Sequence, residues 1–245
     1  MGLFDGLFGK KDSEAAIKRL VRKATEQFAQ TESRHEAYQK LLDIGTPEAV
    51  RGLVQRFQVR VDPGITDDEE KQYVYERLVE LGERAVAPLE EFVRKSEQPT
   101  WALKALEKLL TQEELIDLIL EVLEHEGPDW TRDPEKKITL LRHLAIVQDE
   151  RIPPRLVPFL KDVNEDVRFA AVSVVVDQPK NEALREPLIE GLLEAKEQSS
   201  ERMRRHFAEA LATTEYAVKG FTPKVQAALP PGFTVDKAGV VRSSR

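Results

Sequence analysis

Residues 38–57 read YQKLLDIGTPEAVRGLVQRF, and residues 75–93 repeat the pattern as YERLVELGERAVAPLEEFV. Each copy begins with a tyrosine, continues through a leucine-rich stretch to a glycine, and opens a second apolar segment with Ala-Val. The copies are 37 residues apart, a period that is typical of stacked helical hairpins. In such stacks each hairpin buries its apolar edge against the next, so the pattern predicts an all-α repeat protein.

The residues between the two apolar segments favour the end of one helix and the start of another. Gly45 and Gly82 lie where a helix C-terminus favours a residue that tolerates positive φ. Pro47 lies where the next helix begins, because its missing N–H would have no partner there. The same reasoning along the chain predicts helical hairpins and a final helix at about 31–58, 67–95, 98–125, 134–161, 164–197 and 199–213.

One later stretch carries a more specific signature. Residues 156–175, LVPFLKDVNEDVRFAAVSVV, combine a proline in the second helix of a hairpin, Asp162 in the following turn, and Arg168 near the start of the next helix. The stretch resembles a HEAT repeat, from the family of armadillo-like α-solenoids, and the resemblance extends over about residues 31–215. It implies a right-handed α-α superhelix, a concave face that binds partners, and a hydrogen-bonded ladder between repeats that involves Asp162 and Arg168.

The two ends of the sequence differ from the repeats. Residues 13–30 predict an amphipathic helix. Its apolar face contains Ile17, Leu20, Val21, Ala24 and Phe28. The stretch 230–245 contains Pro-Pro-Gly, an FTV run and a turn glycine, which predict a short β-hairpin or a tail. We therefore divide the sequence into an amphipathic N-terminal segment (1–12), a HEAT-like helical-repeat domain (13–229) and this hairpin or tail.

The segment MGLFDGLFGKK, residues 1–11, combines apolar residues at helical spacing with two lysines. These residues are Leu3, Phe4, Leu7, Phe8, Lys10 and Lys11. The pattern is typical of a segment that lies in the interface of an anionic membrane, which is one of two readings that the sequence leaves open. At about 1.5–3 kcal/mol for full burial of each large apolar side chain, such membrane binding is expected to be weak and reversible. The alternative is that Phe4 and Phe8 cap the first hairpin.

The composition limits the classes of protein and site that come into question. The 245 residues include no cysteine, which excludes disulfides and thiolate zinc sites. The sequence has no signal-peptide pattern and no apolar run of the roughly 20 residues that cross a bilayer. The net charge is −7, although residues 1–23 carry a net +3. We expect a cytoplasmic protein that can associate peripherally with the inner face of the membrane.

No residue pattern predicts catalysis, so we expect neither an enzyme nor a cofactor. The histidines are not spaced as metal ligands; they are His35, His125, His143 and His206. The sequence contains no glycine-rich phosphate loop and no nucleophile elbow. Its many paired carboxylates, such as Glu90–Glu91, are typical of solvated helix faces.

Two features are candidates for partner binding. Trp130 lies in a predicted loop and either folds back over the repeats, which we favour, or is exposed to a partner. Trp101, at the start of a predicted helix, is expected to pack. Arg202, Arg204 and Arg205 form a basic cluster that either contacts a phosphate or an acidic partner, or neutralises nearby glutamates, and we favour the second reading.

These features predict a non-catalytic protein-interaction scaffold or adaptor that binds a protein partner on the concave face of the solenoid. Two alternatives come from other HEAT-like proteins: nucleic-acid binding, as in DNA glycosylases of similar fold, and a lyase that handles tetrapyrroles. The net charge of −7 argues against a nucleic-acid partner, and the sequence has no His or Cys cluster to support a pigment site. Likeness of fold alone does not decide between them.

Overall fold

The computed structural model describes residues 10–244, with side chains described from Ser13 onward. The chain forms two compact units, residues 1–118 and 119–245. Most of the residues that are predicted to contact a membrane lie outside the described part, namely Leu3, Phe4, Leu7 and Phe8. Lys10 and Lys11 lie in the first turn of a helix, and their side chains are not described.

The first unit consists of helices that follow one another through short turns. They are α1 (Lys10–Ala24), α2 (Thr31–Ile44), α3 (Pro47–Val54) with a 3-10 turn (Gln55–Gln58), α4 (Gly64–Glu80), α5 (Glu83–Lys95) and α6 (Thr100–Leu109), and then α7 (Gln112–Glu126), whose range includes the boundary between the units.

The second unit continues the helical pattern and ends in a two-stranded antiparallel hairpin. Its elements are α8 (Glu135–Ala145), α9 (Ile152–Leu156) with a 3-10 turn (Val157–Lys161), α10 (Glu165–Val175), a 3-10 turn (Glu182–Leu184), α11 (Arg185–Glu197), α12 (Glu201–Thr214), α13 (Thr222–Ala228), β1 (Phe233–Val235) and β2 (Val241–Ser243). The prediction of an all-α fold with a short C-terminal β-hairpin is confirmed. Helix α13 was not predicted.

Local side chains explain where these helices begin and end. Gly45 ends α2 with φ +58°, in the left-handed region that favours glycine. Thr46 then caps α3, because its side chain accepts a hydrogen bond from the Ala49 N–H, and Pro47 occupies the first turn. Asn164 caps α10 in the same way. The predicted turn chemistry is therefore confirmed.

Helices that alternate in sequence lie side by side within each unit. In the first unit α4 packs against both α2 and α6, while α3 packs against α5. In the second unit α10 packs against both α8 and α12. Leucines fill these contacts, and Leu41, Leu78 and Leu141 are fully buried. Each hairpin thus buries its apolar edge against its neighbours, as the 37-residue period predicts.

The predicted helix over 13–30 is too long, and one of its predicted apolar-face residues is not buried. Helix α1 ends at Ala24, and Phe28 in the following turn is 93% exposed. The cause is Arg34, whose Nη1 donates to the carbonyl oxygen of Ala29 at 2.5 Å and to two neighbouring carbonyls. A continuing helix would use those carbonyls for its own hydrogen bonds, so the arginine favours a turn.

The second helix of the predicted hairpin 134–161 is also shorter than expected. Helix α9 covers Ile152–Leu156 and then tightens into a 3-10 turn that contains Pro158. A proline has no N–H to donate and its ring crowds the preceding turn, which explains why the α-helix stops here.

The C-terminal hairpin lies on the last helices of its unit. Strand β1 pairs with β2 so that Phe233 faces Ser243 and Val235 faces Val241. Phe233 and Val241 are buried, and the strands contact α12 and α13. An isolated two-stranded hairpin is marginally stable in water, so this packing stabilises it. Within residues 10–244, no helix combines the length and the apolar composition that crossing a bilayer requires.

A close approach between α11 and α12 gives a test of this packing. A Cβ atom on Gly191 would lie 2.3 Å from the buried Phe207 ring. We therefore expect Gly191→Ala to lower the free energy of unfolding by about 1–3 kcal/mol through overpacking, although alanine is the better helix former. Urea unfolding monitored by circular dichroism measures the change.

Gly64→Ala is the control, because Gly64 is also a helical glycine, at the start of α4, and a Cβ there has nothing within 4 Å. It should be neutral or stabilising. Adding Phe207→Leu to Gly191→Ala should recover part of the loss. Equal effects of the two alanine substitutions would contradict the close packing of α11 on α12.

Candidate partner-binding groove in the second unit

Helices α8 and α10 border a groove with a volume of about 360 Å³, which we call the α8–α10 groove. Its apolar lining is Ile138, Ala145, Phe169, Ala170 and Val174. Its polar lining is Glu135, Arg142, Asp166, Ser173 and Arg202, the last from α12. A groove between helices with an apolar floor and a few polar groups is the usual form of a site for a ligand or a helical peptide.

Large apolar side chains lie exposed in the chain segments that flank helices α8 and α10. Trp130, in the loop that leads into α8, is 75% exposed, and Val163, in the turn that leads into α10, is 60% exposed. The two segments touch, because the Val163 N–H donates to the Pro128 carbonyl oxygen at 3.3 Å. Ile146 follows the other end of α8 and is 76% exposed. Exposed apolar side chains therefore precede and follow α8 and precede α10 along the chain.

A buried lysine fixes the loop that carries Trp130. Lys137 Nζ donates to the Asp129 carbonyl oxygen at 2.7 Å and to the Asp162 carboxylate at 2.8 Å. Both charged side chains of this ion pair are almost completely buried. An ion pair in such surroundings holds a defined geometry, because separating the charges leaves each one desolvated without a partner. The backbone of the loop that carries Trp130 is therefore held in place by this ion pair.

The predicted ladder residues are hydrogen-bonded, but not side chain to side chain. Arg168 Nη1 donates to the backbone carbonyl oxygen of Asp162 at 2.7 Å. The Asp162 carboxylate instead accepts from Lys137 of the preceding hairpin and from the Asn164 N–H at 2.8 Å. The side-chain bond between neighbouring hairpins is therefore made by a lysine that the sequence analysis did not single out.

The rim of the α8–α10 groove carries both signs of charge. Within residues 13–244, the Arg142 guanidinium and the Glu135 carboxylate form no hydrogen bond or ion pair, and both side chains are exposed. Both belong to α8, two turns apart. Arg202 on the opposite side is already paired with Asp166 at 2.6 Å. Arg142 and Glu135 are thus the charges on this rim that are available to a partner.

An aromatic stack supports the α10 side of the groove. The His206 imidazole stacks on the Phe169 ring at a centroid distance of 3.9 Å, and the Arg202 guanidinium lies 4.3 Å from the same centroid. His206 Nε2 lies 3.1 Å from the Phe169 carbonyl oxygen and 3.0 Å from Ser173 Oγ. Burial lowers the pKa of His206, so the ring is neutral at pH 7. These contacts hold Phe169 in place at the groove wall.

The predicted basic cluster in α12 is divided among different contacts. Arg202 pairs with Asp166 of α10, and Arg204 pairs with Glu201 in its own helix. Arg205 is exposed and lines a separate cavity of about 420 Å³ beside the C-terminal hairpin. The neutralisation that we favoured from sequence therefore describes Arg204, while the partners of Arg202 come from the neighbouring hairpin.

The two tryptophans also differ from each other. Trp101 is partly buried, stacks on Phe57 at a centroid distance of 6.1 Å and lies under Lys104, as a packing residue does. The favoured expectation that Trp130 folds back over the repeats is wrong, since it is 75% exposed. The physical reason is the loop itself: Lys137 holds its backbone against the hairpin, and the ring that follows Asp129 remains in solvent.

The sequence did not predict a role for two residues that line the groove, Arg142 and Phe169, or for two exposed residues beside its helices, Ile146 and Val163. Ile146 directly follows α8 and Val163 lies in the short turn before α10, and an apolar residue at such a position is a weak sign of an exposed contact. Arg142 and Phe169 carry no sign in the sequence, because their role depends on two hairpins lying side by side.

The first unit contains a second notable cluster, of buried charges. Glu70 accepts hydrogen bonds from the Arg34 guanidinium, at 2.7 Å from Nη2, and from the Tyr38 hydroxyl at 2.7 Å. Arg56 bridges Glu70 to Asp67, with Nη2 at 2.8 Å from the Asp67 carboxylate. All of these side chains are buried. Because each carboxylate is already satisfied by its neighbours, we interpret the cluster as a structural one.

The charges of this cluster set the pKa values of its carboxyl groups. Burial alone would raise the pKa of Glu70, but the hydrogen bonds from Arg34 and Tyr38 and the charge of Arg56 outweigh it, so the pKa is lowered. The pKa of Asp67 is lowered in the same way against its burial, through Lys71 and Arg56. Both carboxylates are therefore ionised at neutral pH.

No group of three or more His, Asp or Glu side chains within the described part of the chain is arranged to hold a metal ion.

Comparison with known proteins does not assign a function to this chain. No family model and no curated protein matches the chain. Two solved structures, both described as engineered proteins of the Northeast Structural Genomics Consortium, are similar at a low level. One is 15% identical with a TM-score of 0.40, covering 89% of this chain and 68% of that chain. The other is 16% identical with a TM-score of 0.33, covering 87% and 85%. Likeness at this level carries no conclusion about this chain.

The buried cluster predicts how stability depends on pH. Because the pKa values of Asp67 and Glu70 are lower in the folded state, their contribution is complete above the unfolded-state pKa, about 4, and is lost as pH falls through the folded-state values. We expect Glu70→Gln to destabilise the protein by about 3–5 kcal/mol at pH 7, because it leaves buried arginines without their counter-charge.

Thermal unfolding between pH 7 and pH 3 checks both points. The difference between the wild-type protein and Glu70→Gln should shrink as the solution becomes acidic. Glu97→Gln, a change at an exposed residue between α5 and α6, is the control and should follow the wild-type curve. A constant difference across this pH range would contradict the coupling of Glu70 to its cations.

Proposed function

We propose that this protein is a non-catalytic interaction protein that binds a partner protein, and that the α8–α10 groove accepts an amphipathic helical segment of that partner. The observation that carries the proposal is a groove with an apolar floor between α8 and α10, two helices whose flanking segments carry the exposed Trp130, Val163 and Ile146. Exposed tryptophans in rigid surroundings are typical of residues that contribute most of the binding energy at protein interfaces.

The dimensions of the groove favour a helix as the bound element. Helix α8 has 11 residues, so a parallel or antiparallel partner of about three turns spans it at 1.5 Å per residue. Such a helix presents apolar side chains at positions i, i+3, i+4 and i+7 to the groove floor. Trp130 and Ile146 then contact its two ends.

The free charges on the rim specify the direction of the bound helix. Arg142 lies toward the end of α8 that precedes Ile146, and Glu135 lies at the end near Trp130. Helices favour acidic residues in their first turn and basic residues in their last turn. A partner helix that runs antiparallel to α8 brings its acidic first turn to Arg142 and its basic last turn to Glu135. We therefore infer an antiparallel amphipathic helix as the occupant.

The alternatives receive less support from the described residues. Nucleic-acid binding calls for a cationic groove, whereas this one has an apolar floor and pairs Arg202 with Asp166. A tetrapyrrole site would need a ligand such as histidine in the α8–α10 groove, and no histidine among the described residues lines it. The neighbouring His206 stacks on Phe169 and contacts Ser173. Binding on the concave face of a HEAT-like superhelix stays a prediction.

We also propose that the protein is cytoplasmic and associates peripherally with an anionic membrane. Support comes from α1, whose outward positions Lys18, Arg19 and Arg22 are exposed basic residues directly after the segment 1–12. Basic side chains near a membrane surface contribute about 1 kcal/mol each to binding of anionic lipids. Membrane association would therefore place the proposed interaction protein at the membrane surface, in addition to its binding of a partner.

Selection from a displayed library of helical peptides on the full-length protein tests the groove. Enriched peptides should be amphipathic, with acidic residues in the first turn. Ala145→Arg places a long side chain on the groove floor and should weaken their binding at least about tenfold, because it fills the volume that the apolar anchors need. Isothermal titration calorimetry measures the affinity.

Ala183→Arg is the control, since Ala183 is exposed in the same unit but outside the groove lining. Arg142→Glu should shift the selection toward peptides with basic first turns. Enriched peptides that bind all three variants as they bind the wild-type protein would contradict the proposed site, and so would a selection that enriches no amphipathic sequence.

A further inference from the structure

Helix α1 separates an apolar side from a basic side. Ile17 and Ala24 are buried against the unit, whereas Lys18, Arg19 and Arg22 project from the opposite side and are exposed. Between residues 13 and 30 the sequence has four basic and two acidic residues, so this stretch is positive within a chain of net charge −7. A negatively charged surface is the electrostatic complement of such a stripe.

The turn that follows α1 holds an aromatic side chain in solvent. Phe28 is 93% exposed, a larger fraction than for the other exposed large hydrophobic side chains of the described residues. Its backbone is not free to turn inward, because Arg34 Nη1 donates to the carbonyl oxygen of the next residue, Ala29, at 2.5 Å. Arg34 is itself locked by its ion pair with Glu70 at 2.7 Å, and both are buried.

An exposed aromatic ring on a fixed turn beside a basic helix has the chemistry of a lipid-interface contact. The ring gains the free energy of leaving water when it enters the boundary between headgroups and acyl chains. The cations interact with anionic headgroups at the same time. Because the turn is already ordered by Arg34, insertion costs little additional backbone entropy.

We propose that Phe28 inserts into the interface of an anionic bilayer while Lys18, Arg19 and Arg22 contact its headgroups. The proposal rests on the peripheral membrane association proposed above and names the side chains that make it. It adds a contact within the described residues to the apolar tract that the sequence predicts over residues 1–8. The apolar pattern of residues 13–30 predicts Phe28 on the apolar face of a helix, whereas the structure places its ring in solvent.

Vesicle co-sedimentation with the full-length protein tests the proposal. The probes are vesicles of phosphatidylcholine alone and of phosphatidylcholine with phosphatidylglycerol. We expect binding to the anionic vesicles, a loss of about tenfold in partition coefficient for Phe28→Ala, and recovery in Phe28→Trp, because tryptophan also favours the interface. Ile65→Ala is the matched control: Ile65 is 74% exposed in the same unit, but acidic residues follow it.

Charge reversal provides a second arm. The triple variant Lys18→Glu, Arg19→Glu and Arg22→Glu should abolish binding to anionic vesicles. The same change of charge at the exposed Lys108, Lys224 and Lys237 should retain most of it. Circular dichroism establishes that each variant is folded.

The outcomes separate the two levels of the proposal. If the wild-type protein binds neither kind of vesicle, peripheral association itself is wrong. If it binds anionic vesicles but Phe28→Ala behaves like Ile65→Ala, association stands and the role of Phe28 is overturned. Equal loss in the two triple variants would mean that the overall charge acts rather than α1. Binding of peptides at the α8–α10 groove should be unchanged in every one of these variants.

Discussion

A pair of amphipathic helices cannot bury its apolar edge alone, and this constraint governs both units of the protein. Each hairpin supplies one wall of its neighbour's core, so α4 needs α2 and α6, and α10 needs α8 and α12. The inward side chains are mostly aliphatic and fully buried. Residues of that core are fixed by packing, so functional residues are expected in the loops, on the outward faces and in the grooves between neighbouring helices.

Both units use a buried cation to fix a loop next to an exposed aromatic ring. In the first unit Arg34 donates to the carbonyl of Ala29, and Phe28 precedes it. In the second unit Lys137 donates to the carbonyl of Asp129, and Trp130 follows it. Each cation is anchored by a buried carboxylate. Buried ion pairs contribute little net stability but define local geometry well. They are therefore suited to holding the backbone of a loop that presents an exposed side chain.

Periodicity and turn residues predicted the hairpins closely, because both are local properties of the chain. Gly45 and Pro47 set the end of α2 and the start of α3 whatever surrounds them. Phe28 and Trp130 were assigned wrongly for the opposite reason. Their exposure is decided by Arg34 and by Lys137, and whether those cations are buried depends on carboxylates from other helices. The pairing of α8 with α10, and hence the groove, likewise depends on contacts that no local pattern reveals.

The exposed aromatic residues Phe28 and Trp130 contribute little to the burial that holds the fold together. Trp130 leaves three quarters of its surface in water, so it contributes little of the burial that stabilises its unit. Exposed rings also favour association and therefore carry a cost in solubility. A loop that only connects two helices could carry a polar residue at position 130. The ring instead lies in the loop before a groove helix, on a backbone that Lys137 and Asp162 hold in place, and the partner binding that we propose would give it a role.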